Sequence, residues 1–319
     1  METGSRLEHF RGALLGTAVG DALGMPVEGW SATAIVRKYG AIRDMLPARL
    51  GRGTYTDDTQ MMIALAESMT RVQQIDGADI ATTYARYCDP QRGYGGGALR
   101  ALQRIRIGVS WREAGSGDFP GGSYGNGGAM RIAPVGLVYG ASDVPTLRQA
   151  VEAAVYCTHT HPLGIDGAVC QARAIGILAQ QRDEAISFSR PPIFAAIHDA
   201  VDTEEFNAAL QQVEALLQHP EVRVEHVIDR LGHGVAALEA VPSALYAFFA
   251  YSESFEDAVV YAVGLGGDTD TIGAMTGALS GAYLGVSHIP DRWLDALEDG
   301  QYGRSYIQHL ADQLCAVFC

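Results

Sequence analysis

Basic residues are in short supply in this chain. Lys and Arg number 23 against 37 Asp and Glu, giving a formal net charge of -14 at pH 7. A protein that grips nucleic acid by neutralising phosphates needs the opposite balance, so direct nucleic-acid binding is not expected. A nucleotide-like small ligand stays admissible, because a metal ion can invert the local field. Long apolar runs are missing as well. The longest uncharged, membrane-like stretch covers 271–286, 16 residues. A bilayer-spanning helix needs roughly 20. The opening METGSRLEHF carries acidic side chains and no apolar signal core. Five cysteines stand at 88, 157, 170, 315 and 319 without a CxxC pair. Their odd count and wide spacing fit a reducing compartment better than a disulfide framework. Cys315 and Cys319 share a helical spacing and are read as incidental. These absences predict a cytoplasmic protein with no membrane partner, acting as a monomer.

What is present is apolar and helical. The 319 residues are 48% hydrophobic, enough for a sizeable core. Strand-like alternation is scarce. Helical patterns are expected at 60–74, 78–88, 95–107, 144–157, 164–181, 203–217, 222–239, 255–265, 271–285 and 291–297. Two stretches read as irregular: the glycine-rich 108–128, and 182–202 with its SRPPIF. Linkers, repeats and low-complexity tracts are not found, so the expectation is one all-α domain over 1–319.

Glycine recurs every fourth residue at Gly12, Gly16, Gly20 and Gly24, and again at Gly273, Gly277, Gly281 and Gly285. Each helical glycine costs about 1 kcal/mol relative to alanine. Residues four apart share a helix face, so each stripe lets another backbone come very close. The pattern predicts two tightly packed central helices, either against each other or each lining a crowded core.

Two acidic motifs stand more than two hundred residues apart: YTDDTQM at 55–61 and GGDTDTIG at 266–273. Each precedes an apolar helical run. Capping explains part of this, since Thr56 or a neighbouring aspartate can cap the first helix and carboxylates favour its dipole. Capping does not explain four carboxylates gathered at the starts of two helices that look buried, with no Lys or Arg inside either segment. A buried unpaired carboxylate is costly. Four carboxylates and two threonine hydroxyls form an all-oxygen set suited to hard ions, Mg²⁺ or Mn²⁺. Six oxygens suffice for two ions sharing a bridging carboxylate. Zinc is disfavoured because no cysteine or His pair has ligand spacing here, and the twelve-residue calcium loop is absent.

These motifs carry a resemblance. GALLGTAVGDALGMPVE (12–28), YTDDTQM (55–61), RGYGGG (92–97) and GSYGNGGAMRIAP (122–134) are followed in order by THTHPLGIDGA (158–168), GHGVAALEAVPSALYAFF (232–249) and GGDTDTIGAMTGALSGAYLG (266–285). Together they span nearly the whole chain. The chain resembles the ADP-ribosylglycohydrolases, the family that includes dinitrogenase reductase-activating glycohydrolase, and within it the ADP-ribosylhydrolase 3 type.

The resemblance implies an all-α fold with two Mg²⁺ ions at its centre. It implies Thr56, Asp57, Asp58, Asp268, Asp270 and Thr271 as the metal site, with Asp270 between the ions. Glu28 closes GDALGMPVE, where Pro26 should end the helix and leave Glu28 on a loop. The family gives this glutamate a catalytic role, shared here with Asp57 or Asp58. The GGSYGNGG segment can expose backbone N–H groups, as phosphate-binding loops do. By resemblance, Gly122, Ser123, Tyr124, Gly125 and Asn126 follow the ligand diphosphate and nearby ribose, with Gly97 and Gly267 also at the ligand. Phe119 and Tyr124 resemble residues near the adenosine end, and His159 resembles an adenine-side histidine. Read from the residues alone, His159 is equally a core histidine at a helix end. The loop before GSYG is one residue shorter than the family pattern, and His161 and Pro162 replace small residues. Arg92 reads as a positioning or structural residue.

The implied reaction is hydrolysis at C1″ of the distal ribose through an oxocarbenium-like transition state. The substrate is an ADP-ribose-bearing protein or small molecule. The type-3 likeness points to O-linked ADP-ribose: serine adducts, poly(ADP-ribose) or O-acetyl-ADP-ribose. Arginine-linked ADP-ribose is the alternative, and a non-catalytic ADP-ribose binding protein the rival class.

Overall fold

The computed structural model describes residues 3–181, 189–219 and 222–319. Helix follows helix along it. α1 (Thr3–Gly24), α2 (Ala32–Tyr39), α3 (Asp57–Val72), α4 (Gly77–Tyr87), α5 (Gly96–Arg106) and the short α6 (Trp111–Ala114) come first. α7 (Ala133–Tyr139), α8 (Val144–Val155), α9 (Pro162–Gln181), α10 (Arg190–Ala200), α11 (Glu204–Leu217) and α12 (Val224–Leu231) follow. α13 (Ala237–Ala250), α14 (Phe255–Gly264), α15 (Thr269–Leu284), α16 (Asp291–Ala296) and α17 (Arg304–Phe318) come last. Among the described residues the only β-type pairings are two isolated bridges, Ser31 with Gly266 and Gly125 with Ala236. The all-α expectation holds. No helix of the described chain is long and apolar enough to cross a membrane.

The two glycine stripes meet. α1 and α15 run antiparallel through the centre, and a methyl group placed on Gly12, Gly16 or Gly20 would fall on the carbonyl oxygen of Gly281, Gly277 or Gly273. At Gly24 it would fall on Thr269. The close approach is therefore a requirement of the seam. Every residue of α15 is buried. Leu14, Leu15, Leu23, Ile272 and Leu279 fill the flanks of the pair at 0–1% exposure. Burying each such side chain stabilises by about 1.5–3 kcal/mol, which offsets the poor helix propensity of the glycines. α17, α3 and α14 pack around this axis with α13 and α9.

Several expectations need correction. The 182–202 stretch is not irregular throughout: Arg190–Ala200 is helical, while 182–188 lie outside the described residues. Pro191 and Pro192 fall in its first turn, where backbone N–H groups have no intrahelical acceptor to lose. The 222–239 run divides into α12 and α13 around Gly232, whose φ of +78° suits glycine. α13 then continues to Ala250 through Pro242, which a propensity reading takes as a stop. Short helices also form within or beyond the irregular stretches: α2, α6 and α7, together with the longer α17.

Candidate active site

The antiparallel register of α1 and α15 decides where the acids meet. The end of α1 lies beside the start of α15, and Thr269 Oγ1 donates to the Gly24 carbonyl at 2.9 Å. Met25–Val27 then form a single 3₁₀ turn carrying Pro26, and Glu28 emerges exposed on the following loop. That loop is paired to the turn before α15. Gly29 N donates to Gly267 O and Gly267 N donates to Trp30 O, both at 2.8 Å. Gly266 and Gly267 both have φ of +71°. A side chain on Gly267 would collide with the His233 carbonyl, which accepts from Asp268 N at 2.8 Å. As a result, carboxylate oxygens of Glu28, Asp268 and Asp270 lie within 4.8 Å of one another.

The other motif arrives on α3. Thr56 is its N-cap, with Oγ1 accepting from Asp58 N at 3.3 Å, so the capping expectation is correct for this turn. Asp268 occupies the equivalent position on α15 and makes no capping bond; it accepts from Asn126 Nδ2 instead. Thr56 is fixed from behind by Asp21, which accepts from Thr56 N at 3.0 Å and from Thr59 Oγ1 at 2.6 Å. Arg92 braces the preceding residue. It donates to Tyr55 O at 2.8 Å, covers the Tyr55 ring at 4.1 Å and forms an ion pair with Glu298.

Electrostatically the group is under-compensated. Burial, then the charges of Asp21 and its other neighbours, pushes Asp57 up to about 7. The same causes hold Asp58 well above the usual carboxylate range. Burial, then the Asp58 charge, does so for Asp270. Burial raises Asp268 against its bond from Asn126. Partial desolvation of the Glu28 carboxylate, then the Asp268 charge, raises Glu28 against the Arg49 charge, although the residue as a whole is exposed. Among the described residues no Lys or Arg forms an ion pair with any of these five carboxylates. Asp58 Oδ2 is buried with no hydrogen-bond partner among the described residues. An orphaned buried anion in an all-oxygen cluster fits a hard divalent cation.

The acids form one end of a cavity of about 330 Å³. Glu28, Asp57, Asp58, Asp268, Asp270 and Thr271 line it, as do the expected ligand residues Gly97, Phe119, Ser123, Gly125, Asn126 and His159. The N-terminus of α5, with Gly95 as its cap, opens onto the same space. His159 is both things its sequence allowed: buried, and on the cavity wall. Burial and the Arg131 charge push it down to about 3, so its ring is neutral. Its Nδ1 pairs with Thr158 Oγ1 at 2.8 Å.

Four expected residues do not line the cavity. Thr56 is buried beside Asp57 and Asp58 as the cap of α3. Gly122 packs on Thr160, and Gly267 packs on His233. Tyr124 is 56% exposed and meets His161 edge-on at 5.7 Å. Pro162, the other departure from the family pattern, is the first residue of α9.

Sequence reasoning missed Asp21, Arg49, Arg131 and Val235. Arg49 lines the acidic end and donates to the carbonyls of Gln91 and Arg92. Arg131 is fully buried and donates to Tyr84 Oη, Gly127 O and Thr158 Oγ1. Asp21 had a usable signal: an aspartate in an Ala- and Gly-rich helix with no basic neighbour, the same logic applied to the other acids. Arg49 lies only a few residues before the first motif and had none.

Known proteins resemble this chain in sequence and in fold. An uncharacterised protein of Archaeoglobus fulgidus is 36% identical over 96% of this chain and 96% of its own. A Bos taurus protein named ADP-ribosylhydrolase ARH3 is 32% identical over 98% of this chain and 93% of its own. A solved structure titled ADP-ribosylglycohydrolase-related protein complex superposes with a TM-score of 0.78 at 29% identity, covering 99% of this chain and 100% of that one. The sequence model of the ADP-ribosylglycohydrolase family matches residues 2–319. With helical fold, cavity and acidic turns all in place, the chain belongs to the ADP-ribosylglycohydrolase family.

Proposed function

We propose that this protein hydrolyses the glycosidic bond at C1″ of ADP-ribose, releasing it from an O-linked, serine-type acceptor. Poly(ADP-ribose) and O-acetyl-ADP-ribose belong to the same substrate class. The observation that carries the reading is the group of five carboxylates without an ion pair among the described residues, with Asp58 Oδ2 orphaned, on the wall of a cavity that Gly95, Gly96, Gly97, Phe119 and His159 also line. The 32% identity to the bovine ADP-ribosylhydrolase supports the hydrolase reading, and the acceptor class rests on the type-3 resemblance of the motifs.

Asp57, Asp58, Asp268 and Asp270, with Thr56 and Thr271, would hold two divalent ions, Mg²⁺ or alternatively Mn²⁺. Bound there, the ions supply Lewis-acidic positions for the hydroxyls of the distal ribose. The protein's own groups do the rest. The first N–H groups of α5, at Gly96, Gly97 and Ala98, suit a diphosphate. In the neighbouring segment Asn126 N is held by Val235 O and Gly125 N by Ser123 Oγ. His159 presents a neutral ring toward the adenosine end. Glu28 has its proton affinity raised by partial desolvation and by Asp268, which suits it to protonate the departing oxygen or to orient water, with Asp57 or Asp58 taking the complementary role. Holding the sugar fixed between these groups lowers the entropic part of the barrier.

The test is release of free ADP-ribose from two peptides, one modified on serine and one on arginine, each with Mg²⁺ and with a chelator. Chelator-sensitive release from the serine peptide is expected. Glu28→Gln should lower kcat about 10²- to 10⁴-fold. Release from arginine alone would overturn the acceptor assignment. No release from either peptide or from O-acetyl-ADP-ribose, with ADP-ribose still bound, would overturn the enzymatic reading in favour of a binding protein.

A further inference from the structure

We propose that Asp21 is a positioning residue of the cation site, clamping the start of α3 so that Asp57 and Asp58 are held toward Asp268 and Asp270. The inference rests on reading that acidic group as a divalent-cation site. Asp21 lies on α1, fully buried and outside the cavity lining. Both of its oxygens accept from Thr56 N at 3.0 Å. Oδ2 also accepts from Thr59 N at 3.1 Å and Thr59 Oγ1 at 2.6 Å. These N–H groups belong to the end of a helix, where no intrahelical acceptor exists. Asp57 and Asp58 lie between the two threonines, so the clamp fixes both ends of the segment that carries them.

A second clamp in the same molecule shows what is unusual here. Asp166 on α9 is also fully buried and holds the start of α11, accepting from Asp202 N at 3.0 Å and from Thr203 N and Thr203 Oγ1 at 2.7 Å. There Arg148 pairs with the carboxylate at 2.9 Å. Asp21 repeats the arrangement without an ion pair to any Lys or Arg among the described residues. A buried carboxylate lacking a counter-charge is costly. The charge that Arg148 gives Asp166 is what a cation in the neighbouring acidic group would give Asp21. The clamp and the cation site are then one unit, in which a ligand-bearing turn is oriented by an outer hydrogen-bonding carboxylate.

Three purified proteins separate this role from a structural one: wild type, Asp21→Asn and Asp166→Asn. Each is titrated with Mn²⁺ in a calorimeter, unfolded with urea, and assayed on an ADP-ribosylated peptide across a range of Mn²⁺ concentrations. In Asp21→Asn one of the two acceptor oxygens becomes an NH2 group, which must face either Thr56 N or the donors of Thr59. Mn²⁺ binding is expected to weaken about 10- to 100-fold, with excess Mn²⁺ recovering turnover. Asp166→Asn is expected to lose stability and bind Mn²⁺ as wild type does. Unchanged Mn²⁺ affinity in Asp21→Asn, or equal weakening in Asp166→Asn, would overturn the inference while leaving the cation site intact. A wild-type protein that binds no Mn²⁺ would overturn both. Should Asp21→Asn not fold, Thr59→Val removes only the hydroxyl bond to Asp21, and a severalfold loss of affinity is then expected, with no loss overturning the proposal.

Discussion

The turn before α3 and the turn before α15 present similar residues, but they are fastened differently. The first is held by side chains from afar: Asp21 on its N–H groups, and Arg92 with Glu298 on Tyr55. The second is held by backbone. Gly267 pairs with the Glu28 loop, Asp268 N reaches His233 O, and the helix behind it is locked into the glycine seam. Side-chain fastening can be trimmed piece by piece. Backbone fastening fails when any side chain is inserted. The same catalytic group should therefore tolerate substitution very unequally on its two sides.

The largest effect is expected where a side chain enters the seam. Gly20→Val places carbon atoms on the Gly273 carbonyl and should destabilise by more than about 4 kcal/mol, beyond the usual range for a point change. Soluble yield and urea midpoint read this directly; a protein of near wild-type midpoint would show that the seam has slack.

Trimming the first turn should be milder. Arg92→Ala removes a part-buried ion pair and the cover over Tyr55, for an expected loss of about 1–3 kcal/mol. The protein should stay folded and lose activity through weaker cation binding, so that raised Mg²⁺ restores part of it. An unrestored loss would mean that Arg92 serves the fold alone.

The first turn also carries a pH signature. Burial leads the causes that push Asp57 up to about 7 and Asp21 up to about 6, against an ordinary value of 3.8. A folded pKa above the unfolded one contributes stability that is full below the unfolded value and lost as pH rises through the folded value. Metal-free protein should accordingly be more stable at pH 5 than at pH 8. Added Mg²⁺ should raise the urea midpoint more at pH 8. Asp57→Asn should flatten the pH dependence, and a profile that rises toward pH 8 without metal would contradict the charge assignment.

The smallest effect is expected at the Asn126 tether of the second turn, which Thr269 Oγ1 also fastens to Gly24 O. Asn126→Ala frees Asp268 Oδ2 but leaves its backbone anchors. Stability should fall by about 1 kcal/mol, the scale of one hydrogen bond. Steady-state kinetics should show a modest loss of kcat. A loss matching Glu28→Gln would mean that the backbone alone does not hold Asp268 in place.

Much of this was legible in the sequence, for definable reasons. The glycine stripes announce a close helix contact because their period and their missing side chains admit few other uses, and in the seam three glycines of each stripe meet, Gly12, Gly16 and Gly20 against Gly281, Gly277 and Gly273. The acidic motifs are legible because charge without compensation is conspicuous in an apolar chain. Glu28 was placed on its loop by Pro26 alone. Pairing was not legible. Which stripe meets which, and that their antiparallel register carries Glu28 to Asp270, depends on tertiary packing. Asp21 carried a signal that went unread, while Arg131 gave none until Tyr84 and Thr158, tens of residues away, were in place. α10 and α13 were hidden by prolines whose cost depends on their position within a helix.

The central claim is that Asp57, Asp58, Asp268 and Asp270 are gathered to hold divalent cations. Its most direct test is calorimetric titration of Mg²⁺ and Mn²⁺ into chelator-treated wild type and Asp270→Asn, with urea unfolding of both as a control. The account predicts saturable binding to wild type, and binding weakened or abolished in a folded Asp270→Asn protein. Absence of binding to wild type, or equal binding by both proteins, would contradict it.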